Sequence, residues 1–493
     1  MVIRGTAFCF VAILSVSLSC FVATASESPL ADAVERGDTS SVPALLTRDA
    51  DVNASQADGM SALHWAAHLD NLETAQRLLE EGAGVEAANR YGVTPLSLAC
   101  TNGNAAMVAL LLEAGADPNT ALRGGETVLM TAARTGKLEA VKALLARGAD
   151  PNRRENYRNQ TALMWAASAG HADVVTTLLD AGASFSTVLE SGFTPLLFAV
   201  REGRMDVVRV LLDAGADVNE TVRPEDKPRG GPREGTSALL LAATNAHFEL
   251  AALLLDRGAD PDADLTGYTV LHVIAPVRNP GVGDNDPAPE GSGSMTSIEF
   301  VTKMATHGAN LDARMTENIN LGNTRLNKVG ATPFLLAAQS ADAELMRTLA
   351  ALGADPLLPN EDDSTPLMVA AGVGTRSPGE DAGTEEEVIE ALEVALELGT
   401  DINAVDSNGE TVMHAAAYKN LPRVVQFLAE QGADHKVWNK KNSHGWTPLT
   451  IARGYRFGNF KPSAVTIAAL QRVFAAAGLR IEEDFQPVGK QVY

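Results

Sequence analysis

Between Gly192 and Asn219 the apolar residues come in two short bursts parted by Gly203, not in strict alternation and not in one long stripe. The first burst is Leu196 to Val200; the second is Val207, Val208, Leu211 and Leu212, spaced i, i+4 as one face of a helix requires. Thr194 and Pro195 mark the first helix start: the hydroxyl accepts an otherwise orphan N–H, and proline at the first position loses nothing by lacking one. Gly203 ends that helix, the second begins near Met205, and Gly215 supplies the left-handed residue that closes it. Ala216-Asp217-Val218-Asn219 then opens an extended turn. Neither helix is long enough to be stable alone in water, so the pair needs neighbours.

The chain supplies them at a fixed period. The equivalent of Leu196 falls at Leu63, Leu96, Leu129 and Leu163, with intervals of 33, 33, 34 and 33 residues through to Leu196. Later landmarks are Leu239, Leu271, Phe334, Leu367, Met413 and Leu449, with extra residues in several intervals. The endings recur as well, in Gly115-Ala116-Asp117-Pro118-Asn119, Gly148-Ala149-Asp150-Pro151-Asn152, Gly258-Ala259-Asp260 and Gly432-Ala433-Asp434. This pattern resembles the ankyrin repeat, whose core is Gly-x-Thr-Pro-Leu-His-x-Ala-Ala and whose ending is Gly-Ala-Asp-x-Asn. The resemblance implies an all-α solenoid of about twelve helix-turn-helix units joined by β-turn fingers, each unit packed mainly on its neighbours.

On that reading residues 28–265 hold the N-terminal repeats, near consensus from 57, and 266–479 hold the C-terminal ones. The second half carries insertions at 276–295, 313–329, 372–387 and 454–463. Glu220 to Gly235 lengthens a further turn, Ala464 to Phe474 reads as the last helix of a cap, and 480–493 as a tail.

Composition adds a location and removes some functions. Ala7 to Ala23 is almost entirely apolar, and Ala23-Thr24-Ala25 is a small-x-small cleavage pattern, so 1–25 reads as a signal peptide. The alternative is an uncleaved anchor, because the run approaches spanning length. With cleavage no span remains, and the protein is expected in the periplasm or secreted. Arg outnumbers Lys, which leans towards a bacterial source. The net charge of -23 argues against nucleic-acid binding, which needs a basic footprint, and is compatible with a basic partner. Cys9 and Cys20 lie in the leader, so Cys100 has no partner for an internal disulfide and reads as a core residue.

No catalytic residue, metal site or cofactor is expected. His64 and His68 have metal-ligand spacing, but His64 fills the structural His slot of the repeat, as do His272 and His414. Gly82-Ala83-Gly84 follows a helix and not a strand, the wrong context for a nucleotide loop. Trp65, Trp165 and Phe198 share a slot that packs on the neighbouring first helix. Tyr91, Tyr157, Phe193 and Trp446 precede the Thr-Pro step, where the resemblance implies exposed fingers that touch partners. Arg123, Arg134, Arg158 and Arg201 lie at variable positions nearby, and exposed Tyr and Arg are the residue types enriched in binding hot spots. The expected function is a non-catalytic, monomeric scaffold that binds a polypeptide through these residues. The alternative is an enzyme or ligand receptor with a site built by insertions 276–295 and 454–463.

Overall fold

The computed structural model describes residues 28–48, 50–224, 232–281, 288–319, 324–455 and 461–479. Residues 1–27, residue 49, the tail from 480 and parts of four loop segments, including 456–460, lie outside the described residues. Within them 25 helices form twelve consecutive pairs, with a single short helix, His435–Trp438, before the last pair. Among the described residues no strand is formed; isolated bridges such as Ser55 to Ser61 and Ala121 to Thr127 close the turns between pairs. The chain divides into two compact units, residues 1–132 with 139–150, and residues 133–138 with 151–493.

In the smaller unit the first helices stack on one another, Pro29–Glu35 on Ala62–His68 and the latter on Pro95–Asn102. Their contact faces are alanine and leucine: Ala66, Ala67 and Ala99 have no exposed surface, and Leu63 and Leu96 almost none. Small residues let the backbones approach closely, which explains the low aromatic content. Thr94 caps its helix by accepting the Ser97 N–H at 3.2 Å, with Pro95 in the first position. Register between pairs is set by the Asn of the Asp-x-Asn ending. Asn53 donates to the Gly82 carbonyl at 3.2 Å and accepts the Gly84 N–H at 2.7 Å. Asn119 repeats this with Gly148 and Asp150 at 3.1 and 2.8 Å. Gly82-Ala83-Gly84 is thus a stacking joint and not a phosphate loop.

The larger unit continues the same scheme. Asn152 clamps Gly182 and Ser184, and Asn219 clamps Gly258 and Asp260. Met205–Asp213 is helical with Val207, Val208 and Leu211 buried, as the i, i+4 stripe requires. Further along, the described parts of three insertions bind each other. Thr324 pairs with Thr375 in an antiparallel bridge, and the Arg325 N–H donates to the Gly374 carbonyl at 2.8 Å. Gly281 lies so close to the Glu380 carbonyl that a Cβ there would stand 2.8 Å from it. Arg278 anchors the first insertion through Asp342, at 2.5 Å, and Glu344, at 2.7 Å. The acidic run Glu385-Glu386-Glu387 belongs not to a loop but to the first turn of the helix Glu385–Glu397, where negative charge meets the positive end of the helix dipole. Lys328, from the insertion at 313–329, is buried.

Candidate functional site

Several turns entering the first helices are held by one side chain each, whereas those at Leu122 and Leu189 close through backbone hydrogen bonds. Asn89 accepts the N–H groups of Tyr91 and Val93 at 2.9 and 3.0 Å. Asn360, Asp406 and Asn442 do the same in their own turns. In the turn made longer by the 34-residue interval, Glu155 replaces Asn and accepts three donors: Tyr157, Arg158 and Gln160 at 2.7, 2.7 and 3.0 Å. Burial works to raise the pKa of this acid, but the N–H donors of Gln160, Tyr157 and Arg158, with the Arg158 charge, outweigh it and hold it low. The same turn needs a left-handed residue, supplied by Asn159 at φ 59° where neighbouring turns use glycine.

The eight residues expected to contact a partner divide into two groups. Tyr91 and Tyr157 are 62% and 84% exposed, and Arg158 and Arg123 are exposed too. Arg123 also donates to the Arg90 carbonyl at 2.6 Å, and Arg90 in turn to the Ala57 carbonyl, tying successive finger tips together. The other four pack against aromatic neighbours, although Arg134 stays exposed. Phe193 was expected on the surface but is 5% exposed. It packs on Phe198 with ring centroids 5.2 Å apart, and the Arg201 guanidinium covers both rings at 5.2 and 5.1 Å. The reason lies in the following finger, whose Arg223 and Pro224 backbone presses on Gly192 and closes the turn over Phe193. Arg134 covers Trp165 at 5.1 Å, in the aromatic slot expected to be core. Trp446 is half-buried against His444, 5.0 Å between centroids.

The histidine slot is structural throughout. His64 Nδ1 takes the Ser61 N–H at 3.2 Å while Nε2 reaches the Val93 carbonyl at 3.0 Å. His272 spans Thr269 and the Ala313 and Ala331 carbonyls, and His414 spans Thr411 and the Lys440 carbonyl. Burial pushes His272 and His414 down to about 4, so both are neutral. Cys100 is buried and its thiol is pushed up to about 12 by desolvation, far from nucleophilic. Among the described residues no trio of His, Cys, Asp or Glu could hold a metal ion.

Two cavities sit where the insertions meet. One, of about 50 Å³, is lined by Asn279, Gly281, Thr375, Asp381 and Lys419. Lys419 donates to the Ala382 carbonyl at 2.8 Å; its burial lowers its pKa, as burial raises that of Asp381. The other, of about 160 Å³, lies between 325–327, 373–375 and 406–410. At its wall Glu410 accepts from the Tyr418 hydroxyl at 3.0 Å and from Asn442 at 2.7 Å. Of the two insertions named for the receptor alternative, the described part of 276–295 contributes to the first cavity, and the described residues of 454–463 line neither. Sequence reading passed over Glu410, Tyr418 and Lys419. The available signal was a carboxylate directly before a helix cap, and a lysine ending the largely apolar helix Val412–Lys419.

Helix pairs at this period, clamped by Asn at several endings and capped through His64, His272 and His414, define a class. Models of ankyrin repeats match residues 30–121, 129–222 and 382–460, and others match 103–145 and 196–255, together more than half of the chain. The chain belongs to the ankyrin-repeat family. It is similar to the mouse B-cell lymphoma 3 protein homolog, 32% identical over 44% of this chain and 40% of that protein. It is similar to human ankyrin repeat and SOCS box protein 6, 30% identical over 22% of this chain and 30% of that one. It is also similar to human SH3 and multiple ankyrin repeat domains protein 2, 29% identical over 40% of this chain and 10% of the relative. The match therefore spans less than half the length of each of these relatives. Ankyrin-repeat proteins are generally non-catalytic scaffolds for protein–protein interaction.

Proposed function

We propose that the protein is an exported, non-catalytic scaffold that binds a polypeptide partner through its finger turns. One observation carries the reading. Of nine large apolar side chains exposed among the described residues, six lie on turns entering a first helix: Tyr91 in the smaller unit, and Tyr157, Val188, Leu265, Leu357 and Val405 in the larger. Apolar surface concentrated on one kind of element, and held there by turn hydrogen bonds, is what a pre-organised binding surface requires. Arg158, beside Tyr157, adds a donor able to pair bidentately with a carboxylate. The partner acts on the chain as a monomer, with no nucleic acid or cofactor involved. Export rests on the leader, with cleavage after Ala25. The test is capture of partners from the compartment where the protein resides, by wild type and by the double variant Tyr157→Ala with Arg158→Ala. Loss of specific partners with melting unchanged supports the scaffold reading.

A further inference from the structure

The cleft of about 160 Å³ is bounded by parts of four successive repeats, and its wall is not neutral. Three carboxylates line it, Asp362, Asp406 and Glu410, against Arg325 and the imidazole of His444. Asp406 is fully engaged: Oδ1 accepts the N–H groups of Asn408 and Glu410 at 2.9 and 2.8 Å, and Oδ2 accepts the Ser364 hydroxyl at 3.0 Å. Asp362 accepts from Asn327 at 3.1 Å. Glu410 differs. It is 7% exposed, both of its donors converge on Oε1, and its buried Oε2 has no hydrogen-bond partner.

A buried carboxylate oxygen without a donor costs free energy, and an arriving N–H removes that cost. Three acids against one guanidinium select a cation. A metal does not fit, because no trio of ligands with suitable placement exists among the described residues. The size selects further. Small-molecule pockets run to roughly 300–1,000 Å³, and a cleft of about 160 Å³ has room for little more than one extended side chain. The chain as a whole carries a net charge of -23, which favours a basic polypeptide over an acidic one.

We propose that this cleft receives a lysine or arginine side chain of the partner polypeptide, with Glu410 as the acceptor at its wall and Tyr418 and Asn442 positioning that carboxylate. The proposal rests on the scaffold reading and names the chemistry by which that partner is recognised. Arg325 lies in the lining as a like charge and weakens the binding of any cation there. The same placement accounts for the pKa of Glu410, which burial pushes up to about 7 in the unoccupied protein. A bound cation favours the ionised form, so binding at neutral pH releases protons.

The full chain is titrated with three capped pentapeptides, identical except for a central lysine, arginine or norleucine. The readouts are calorimetry in two buffers and the carboxyl carbon resonances of labelled glutamates, with Glu410 assigned through Glu410→Gln. Saturable binding of a cationic peptide, proton release near neutral pH and no response to norleucine are expected. Glu410→Gln should weaken that binding roughly tenfold or more, the scale of one hydrogen bond to a charged group. Arg325→Gln should tighten it, and this second variant decides the matter if Glu410→Gln melts early. Equal binding of norleucine, no binding of either cation, unchanged affinity in Glu410→Gln, or unchanged or weaker binding in Arg325→Gln overturns the proposal. The scaffold reading fails separately: a protein that binds the lysine peptide but captures no polypeptide loses the scaffold, whereas one that captures its partner but ignores the cations loses only the cleft.

Discussion

The Glu155 carboxylate accepts the backbone N–H of Tyr157 at 2.7 Å, so a buried acid holds up a side chain that is 84% exposed. The two residues do opposite jobs. Glu155→Ala should strip three backbone donors of their acceptor and cost about 1.5–3 kcal/mol of stability. Tyr157→Ala should stay within about 0.5 kcal/mol, as surface changes usually do. Urea melts of both variants check this. The pKa of Glu155 is lowered, so its contribution is present above the ordinary value of 4.5 and is lost as pH falls below it. Glu155→Gln should flatten that acid limb.

Arg134 and Arg201 cover aromatic rings, at 5.1 Å for both Trp165 and Phe198. Truncating either to Ala should lower stability by about 0.5–1 kcal/mol, the usual value of such a contact at an exposed site. Arg158→Ala, with no ring beneath it, should be neutral in the same melts. Equal losses at all three would refute the division of the arginines into packed and presented.

Two sets of buried groups pull the pH profile of stability in opposite directions. His272 and His414 are lowered to about 4 by burial. The unfolded chain takes up their protons first, so stability falls as pH drops from about 6.5 towards 4. Glu410 and Glu220 are raised to about 7, chiefly by burial, and their folded form prefers the proton. Their contribution is present below the ordinary value of 4.5 and is lost as pH climbs to about 7. Glu410→Gln should therefore raise the urea midpoint at pH 7 relative to pH 4.5, while a His272→Gln variant should lose part of the acid-side decline. Identical profiles for Glu410→Gln and wild type would count against a protonated Glu410.

Export has a direct readout. In its own cells the mature protein should begin at Ser26, as N-terminal sequencing will report. Retention of Met1 would contradict cleavage and favour the anchored alternative.

Much of the fold was legible because it depends on local, repeated chemistry. Thr194, Pro195, Gly203 and Gly215 each act where the sequence places them, and the His64 slot is recognisable by its neighbours alone. The partner-contact residues were less legible. Phe193 sits at an exposed position of its turn, and only the next finger, with Arg223 and Pro224, turns it inward. Arg134 and Arg201 look variable, but each falls above an aromatic ring that spacing cannot aim. The meeting of 281, 324–326 and 372–382 was hidden altogether. Insertions in separate repeats have no shared period, so nothing in sequence says that Thr324 will pair with Thr375.

The most direct test of the central claim compares partner capture by wild type with capture by Tyr157→Ala/Arg158→Ala, alongside melting of both. The account predicts an unchanged melt and a loss of binding of on the order of 2 kcal/mol or more, the size of a true anchor. A lowered melting temperature with capture intact would contradict it, and would place the binding surface elsewhere than on the finger turns.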